Sequence, residues 1–218
     1  PEAYATNGLQ IEASQDIQSI GFAVDACQQS LQALSDCQLM VVHHGIFWPK
    51  ISRLTGPVGQ LVGRHYAQGV SLYASHLPLD VHPEVGNNAQ MIARLGLERG
   101  ELFAPVGYLC QLDQNREELH TQVEQKIGPA RMLPFGPERI TRLAVSSGQA
   151  SVAMVDQAIA AGAQALLTGE AGHPIYHAAQ QAGLNILLAG HYQTEIWGVL
   201  ALEKLLQQEF SVKTRFVD

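Results

Sequence analysis

The sequence predicts an α/β protein, and three observations carry that prediction. Short apolar runs recur along the chain, bounded by Gly, Pro, Ser or Asn, as strands are. Amphipathic or polar segments of helical length alternate with them, which is the rhythm of a largely parallel sheet. Both ends of the chain also share one order, an apolar strand, a His-bearing turn and a helix. That repetition points to two α/β lobes, divided here into residues 1–112 and 113–218, with mostly parallel sheets.

Residues 8–13 and 19–24 alternate apolar and polar and predict strands. Residues 25–36 predict a helix with Asp25 as its candidate cap. The run QLMVV (38–42) predicts a buried strand that delivers His43 and His44 to its end. A helix over 58–68 leads to the strand VSLYAS (70–75) and His76. A helix follows over 87–95 and stops at Gly96. Residues 100–113 predict one or two strands, and 115–127 a polar helix. Residues 128–140, with three prolines and flanking glycines, predict a loop or hinge. Strands at 142–147, 165–169, 184–190 and 211–217 then alternate with helices at 150–162, 173–182 and 192–209.

At 218 residues the chain is one large domain or two small lobes, on roughly 100–200 residues per domain. It is 46% apolar and 15% charged, an ordinary globular balance. No run of about 18 apolar residues is present, so a membrane span is not expected. No leader is visible, and the expected compartment is the cytoplasm. Cys27, Cys37 and Cys110 are odd in number and widely spaced, which predicts buried free thiols. The net charge is −7 and the 13 Lys and Arg are scattered, so direct nucleic-acid binding is disfavoured.

Chemistry concentrates in five residues. His43 and His44 follow one apolar run, His191 follows another, and Asp80 lies in SHLPLDVH. Glu195 stands four residues after His191, so the two share a helix face. In α/β sheets ligands gather beyond the carboxyl ends of strands, where these residues are expected. Imidazole with carboxylate suits zinc, iron, manganese, nickel or cobalt. Three imidazoles and two carboxylates exceed the ligand set of a single catalytic ion and favour two ions. His76 and His173 are candidates to orient a ligand, and with Glu170 to move protons; His173, near the start of its helix, is also a candidate to grip an anion. His65, His120 and His177 lie within helical segments and are read as packing or surface residues, and Met40 and Trp197 as packing. His82 fits either reading equally.

The strings NGLQIEA (7–13), VVHHG (41–45), SHLPLDVHPEVGNN (75–88), TGE (168–170) and AGHYQTE (189–195) together resemble the NGG-interacting-factor-like family, also known as GTP cyclohydrolase I type 2 homologues. The resemblance runs in matching order from about residue 7 to the end. It implies two α/β lobes with a dinuclear metal site between them, held by His43, His44, Asp80, His191 and Glu195. It also implies a toroidal homohexamer. Three features resemble the shorter bacterial branch: a start almost at the NGLQ strand where many members have a helix before it, His-Leu-Pro-Leu-Asp in place of His-Thr-Asn-Leu-Asp, and Glu170 in place of Asp; the inserted domain of some members is not expected.

The implied activity is hydrolytic attack on the guanine ring of a nucleotide such as GTP, since a divalent ion brings water's pKa near neutrality. Only Lys50 and Arg53 are cations close in sequence to a ligand, and no Walker-type loop is present. The alternative is a metal-holding scaffold or regulatory interaction protein without turnover.

Overall fold

A computed structural model describes residues 5–218. Its elements begin β1 (Gly8–Ile11), β2 (Ser19–Asp25), α1 (Gln28–Ala33), β3 (Leu39–His44), α2 (Gly56–Gln68), β4 (Ser71–Ala74), α3 (Leu77–Val81) and α4 (Asn87–Arg94). They continue β5 (Leu102–Phe103), β6 (Gly107–Asn115), α5 (Arg116–Lys126), β7 (Arg131–Leu133), β8 (Arg139–Val145), β9 (Gln149–Ala150) and α6 (Val152–Ala160). The last are β10 (Ala165–Thr168), β11 (Glu170–Ala171), α7 (His173–Ala182), β12 (Asn185–Leu188), α8 (His191–Glu209) and β13 (Lys213–Phe216).

The chain forms two compact units, Pro1–Leu79 with Val199–Asp218, and Asp80–Gly198. This partition differs from the expected cut at 112/113. That cut falls inside β6, which pairs with β8 on both sides of it, from Tyr108 to Asn115.

In the first unit the strand order is β1-β4-β3-β2-β13. β13, β2, β3 and β4 run parallel, and only β1 is antiparallel. Met40, Val42 and Leu72 pack with Leu31 of α1, Leu34 at its C-cap and Val62 of α2 in one core. The parallel strands bring the carboxyl ends of β2, β3 and β4 side by side, with Asp25 in register with His44. His65 is fully buried on α2, and its Nδ1–H donates to the Val70 carbonyl at 2.8 Å.

In the second unit the order is β5-β6-β8-β10-β12-β7. β8, β10 and β12 are parallel, while β5, β6 and β7 pair antiparallel. The expectation of mostly parallel sheets therefore holds for the first sheet and not for this one. Successive strand residues face opposite ways. Leu143, Leu167 and Leu187 pack with Leu119 and Val123 of α5. Ala144, Leu166 and Ile186 pack with Val155 and Ala158 of α6 and Ile175 of α7 on the other face. Both faces are covered, which is why these strands read as unbroken apolar runs.

β7 lies inside the segment predicted as a loop. Pro129 and Pro134 flank it, and among the described residues it pairs only with β12, at a sheet edge where proline is tolerated. α3 and the short β9–β11 pair were also not predicted, being too brief to show a period. All three cysteines are free, but Cys27 is exposed where a buried thiol was expected. It caps α1 in a reciprocal pair of hydrogen bonds with Ser30. Among the described residues no helix is long and apolar enough to cross a membrane.

Burial holds the His65 pKa below its ordinary value, against the opposing effect of its bond to Val70. The folded chain therefore binds fewer protons at this ring than the unfolded chain. Its contribution is intact above about pH 6.5 and is lost as pH falls through the lowered native value. His65→Gln should flatten the fall in urea-unfolding stability between about pH 7 and pH 5.

Candidate functional site

Three imidazoles meet in the first unit. His43 and His44 are the last two residues of β3, and His76 follows β4. Ring centroids are 4.6 Å apart for His43 and His44, 5.1 Å for His43 and His76, and 5.4 Å for His44 and His76. One ring nitrogen from each lies within 4.8 Å of the others. His43 is fully buried and His44 partly so.

The tautomers follow from the partners. The Ser75 carbonyl accepts a bond from His43 Nδ1 at 2.9 Å, and the Asp25 carboxylate lies 2.8 Å from His44 Nδ1. A carbonyl can only accept, so the proton sits on Nδ1 of His43 and the lone pair lies on Nε2. Asp25 imposes the same tautomer on a neutral His44. Such Nδ1 tethers are the usual support of metal-ligating histidines. His76 was expected to orient a ligand or move a proton; the structure places it beside the doublet as a third imidazole. Its own backbone N–H donates to Asn7 Oδ1 at 2.7 Å, and Trp48 meets its ring edge-on at 5.2 Å.

In the second unit the loops after β8, β10 and β12 are knitted together. The Gly148 carbonyl accepts from the N–H groups of Gly169 and Glu170, and Gly190 N–H donates to the Gly169 carbonyl. Thr194 Oγ1 accepts from Gly148 N–H at 3.0 Å and is itself placed to donate to the carbonyls of Gly190 and His191. The sheet edge thereby fixes His191 at the first position of α8 and Glu195 one turn on.

His191 stands between two carboxylates. Glu170 Oε1 is 3.0 Å from Nδ1, and Glu195 Oε2 is 3.2 Å from Nε2. The Glu195 hydrogen bond, helped by both carboxylate charges and opposed by burial, raises the His191 pKa to about 9. Glu170, expected as a candidate proton carrier, faces Nδ1 of His191.

Asp80 is 3% exposed. Asn87 Nδ2 donates to its Oδ1 at 2.9 Å and Ser147 Oγ at 2.7 Å. Asn88 Nδ2 donates to the Asp80 carbonyl, and Asn88 Oδ1 accepts from Ser147 N–H at 2.6 Å. Glu195 is also 3% exposed, and a carboxylate oxygen of each lies within 4.8 Å of the other. Two buried carboxylates this close demand a positive partner. With His191 of the same unit they form an oxygen–nitrogen donor set without thiolate, and that set fits a divalent metal.

Gly148 completes this cradle. Its φ is +66°, and a Cβ there would lie 2.4 Å from Glu195 Oε1 and 3.4 Å from His191 Nε2. Gly148→Ala should cost about 1–3 kcal/mol in backbone strain. It should also push Glu195 aside, so elemental analysis is expected to show reduced metal uptake in a protein that still folds.

His173 does not join these groups. It meets His177 and lies with Tyr176 on α7. His82 resolves as a turn residue, its Nδ1 accepting from the N–H groups of Glu84 and Val85 at 3.2 Å each. His120 bonds to the Ala130 carbonyl. Met40 and Trp197 pack in cores as expected. Sequence reading missed Asp25, Asn87, Asn88, Ser147, Gly148 and Thr194 as supports of the candidate ligands. The amide pair after Gly86 carried a signal, since buried asparagines at a helix start need partners.

Known proteins share this whole arrangement of the chain. A GTP cyclohydrolase 1 type 2 homolog of Archaeoglobus fulgidus is 36% identical over 221 residues, covering 98% of this chain and 89% of its own. One of Treponema pallidum is 33% identical over 261 residues, covering 98% and 90%. The solved structure of protein ybgI, described as of unknown function, superposes with a TM-score of 0.94 at 32% identity, over 100% of this chain and 91% of that one. The crystal structure of TTHA1606 from Thermus thermophilus gives 0.88 at 30% identity, over 100% and 90%. The family model of Duf34/NIF3 (NGG1p interacting factor 3) matches residues 1–218. The chain belongs to the Duf34/NIF3 family.

Proposed function

We propose that this protein is a metal-dependent hydrolase of the GTP cyclohydrolase I type 2 kind. In this reading His43 and His44, with Asp80, His191 and Glu195, hold two divalent ions. The observation that carries it is the pair of buried carboxylates, Asp80 and Glu195, each fixed by other side chains of its unit. The Nδ1 tethers of His43 and His44 support it from the other half of the donor set.

Bound divalent ions supply water made acidic near neutral pH. The chain's own part is to hold the donors. Asp25 and the Ser75 carbonyl keep the doublet in the ligating tautomer, and Glu170 orients His191. His76 stands beside the doublet and is the candidate to hold a proton at a ring nitrogen. The substrate proposed is a purine nucleotide, hydrolysed at C8 with release of formate, as the names of the curated relatives prompt. The assembly proposed is a homohexameric ring in the cytoplasm.

The protein should be loaded in turn with Mn, Fe, Co, Ni and Zn and given GTP, phosphate esters and cyclic amides. The hydrolase reading expects metal-dependent turnover that is lost in His44→Ala and Glu195→Ala. Stoichiometric metal without turnover on any substrate would replace it with the scaffold reading.

A further inference from the structure

We propose that a cleft in the second unit, lined by Arg131, His173 and His177, is a binding site for the phosphate group of a small ligand. The cleft has a volume of about 430 Å³. That lies within the range of small-molecule sites. The inference does not require turnover, since a scaffold would hold the same anion.

The distribution of arginines carries the first step. The chain is strongly acidic, and most of its guanidinium groups are already engaged. Arg116, Arg139, Arg142 and Arg215 pair with carboxylates, and Arg94 and Arg99 lie over the rings of Trp197 and Tyr108. Arg131 has no carboxylate partner among the described residues. It is exposed, and it lines a cavity with the imidazoles of His173 and His177. A guanidinium left unneutralised beside imidazoles is suited to phosphate oxygens, which it can grip with two parallel bonds.

The second step is the shape of the cleft. His173 and His177 are one turn apart on α7, on the same helix face, with ring centroids 5.3 Å apart and planes nearly perpendicular. Tyr176 packs against His177 at 5.3 Å and against Phe135 at 5.0 Å, which steadies this face of α7. Leu133 and Leu188 supply apolar wall, so charge placed there is less screened than on open surface. The cleft also lies at the first turn of α7, where Gly172 offers no side-chain cap to compete with an anion.

The third step is position. Arg131 is in register with Leu188, the last residue of β12 and three before His191. Ala171, also in the cleft wall, follows Glu170 directly. The strand ends that border the cleft are those that deliver the Glu170–His191–Glu195 group. A ligand anchored here by its phosphate would extend along this edge toward that group.

The test is calorimetric titration of the full chain after chelator treatment, with pyrophosphate, GTP and guanosine as separate probes. Saturable binding of pyrophosphate and GTP, with guanosine far weaker, is expected, and the binding should weaken with added salt. Arg131→Gln should lower the affinity by about tenfold or more. The double change His173→Gln with His177→Gln should lower it as well. Arg53→Gln, outside the cleft, should leave it unchanged, and all variants should keep the parent's melting temperature. The proposal is overturned by absence of saturable pyrophosphate binding, by equal affinity in Arg131→Gln, or by guanosine binding as tightly as GTP. Because metal is removed throughout, failure here leaves the hydrolase reading to its own turnover test.

Discussion

Glu195→Gln should strip the reconstituted protein of most of its metal, while the neighbouring change Glu170→Gln should only weaken binding. The two carboxylates flank one imidazole, yet they are placed differently. Glu195 is almost fully buried, sits against Nε2 of His191, and has a second buried carboxylate within 4.8 Å. Its charge is the one a cation must neutralise. Glu170 is exposed and reaches only Nδ1, the nitrogen that faces away from a metal in the tethered tautomer. Changing an outer partner of this kind costs about 10–100-fold in metal affinity. Loss of Glu195 removes a ligand and a charge together, so its effect is expected to exceed that range. Elemental analysis after dialysis against graded free metal measures both, with Asp25→Asn expected to behave like Glu170→Gln on the histidine side.

Asn87→Ala should be the most destabilising change at a residue that touches no metal. Asn87 is fully buried, gives one hydrogen bond to Asp80 Oδ1 and takes one from the Gly198 N–H at 2.8 Å. The fit is close, since a Cβ on Gly198 would lie 2.5 Å from Asn87 Oδ1. Truncation leaves a buried N–H without its acceptor and a buried carboxylate short of a donor. The expected loss is about 2–4 kcal/mol, read from urea unfolding of the metal-free protein. Metal affinity should fall with it, because Asp80 Oδ1 would lose the Asn87 amide that helps to hold it. Asn87→Asp keeps the shape but sets a second carboxylate beside Asp80, and it should be worse than Asn87→Ala.

Much of the fold was legible because the strands of both sheets are buried on their helix-facing sides. Runs such as Leu39–Val42, Ala165–Thr168 and Asn185–Leu188 are recognised by apolar content alone, and Gly69 and Gly183 end their helices in the left-handed conformation. What escaped was short or at an edge. β7 has three residues between prolines and draws its order from β12 rather than from its own pattern. The antiparallel pairing of β6 with β8 could not be read from either strand, since register and direction are properties of the pair.

The candidate ligands were legible for a different reason. His, Asp and Glu at strand ends declare their chemistry by type, and the i, i+4 spacing of His191 and Glu195 fixes a shared face. Their supports do not declare themselves. Asp25 was read as a helix cap, whereas Cys27 caps α1 and Asp25 tethers His44. Thr194 looks like any helix threonine until Gly148 is seen to bond to it. Closeness to Glu170 in sequence did not set His173 against His191; its ring meets His177 instead.

Anomalous diffraction from crystals of the manganese-loaded protein tests the central claim most directly. Two peaks are expected, sharing inner-sphere atoms from the early pair, His43 and His44, and from the later set, Asp80, His191 and Glu195. Peaks bound by only one of these sets, or no peaks at any of the five residues, would contradict it.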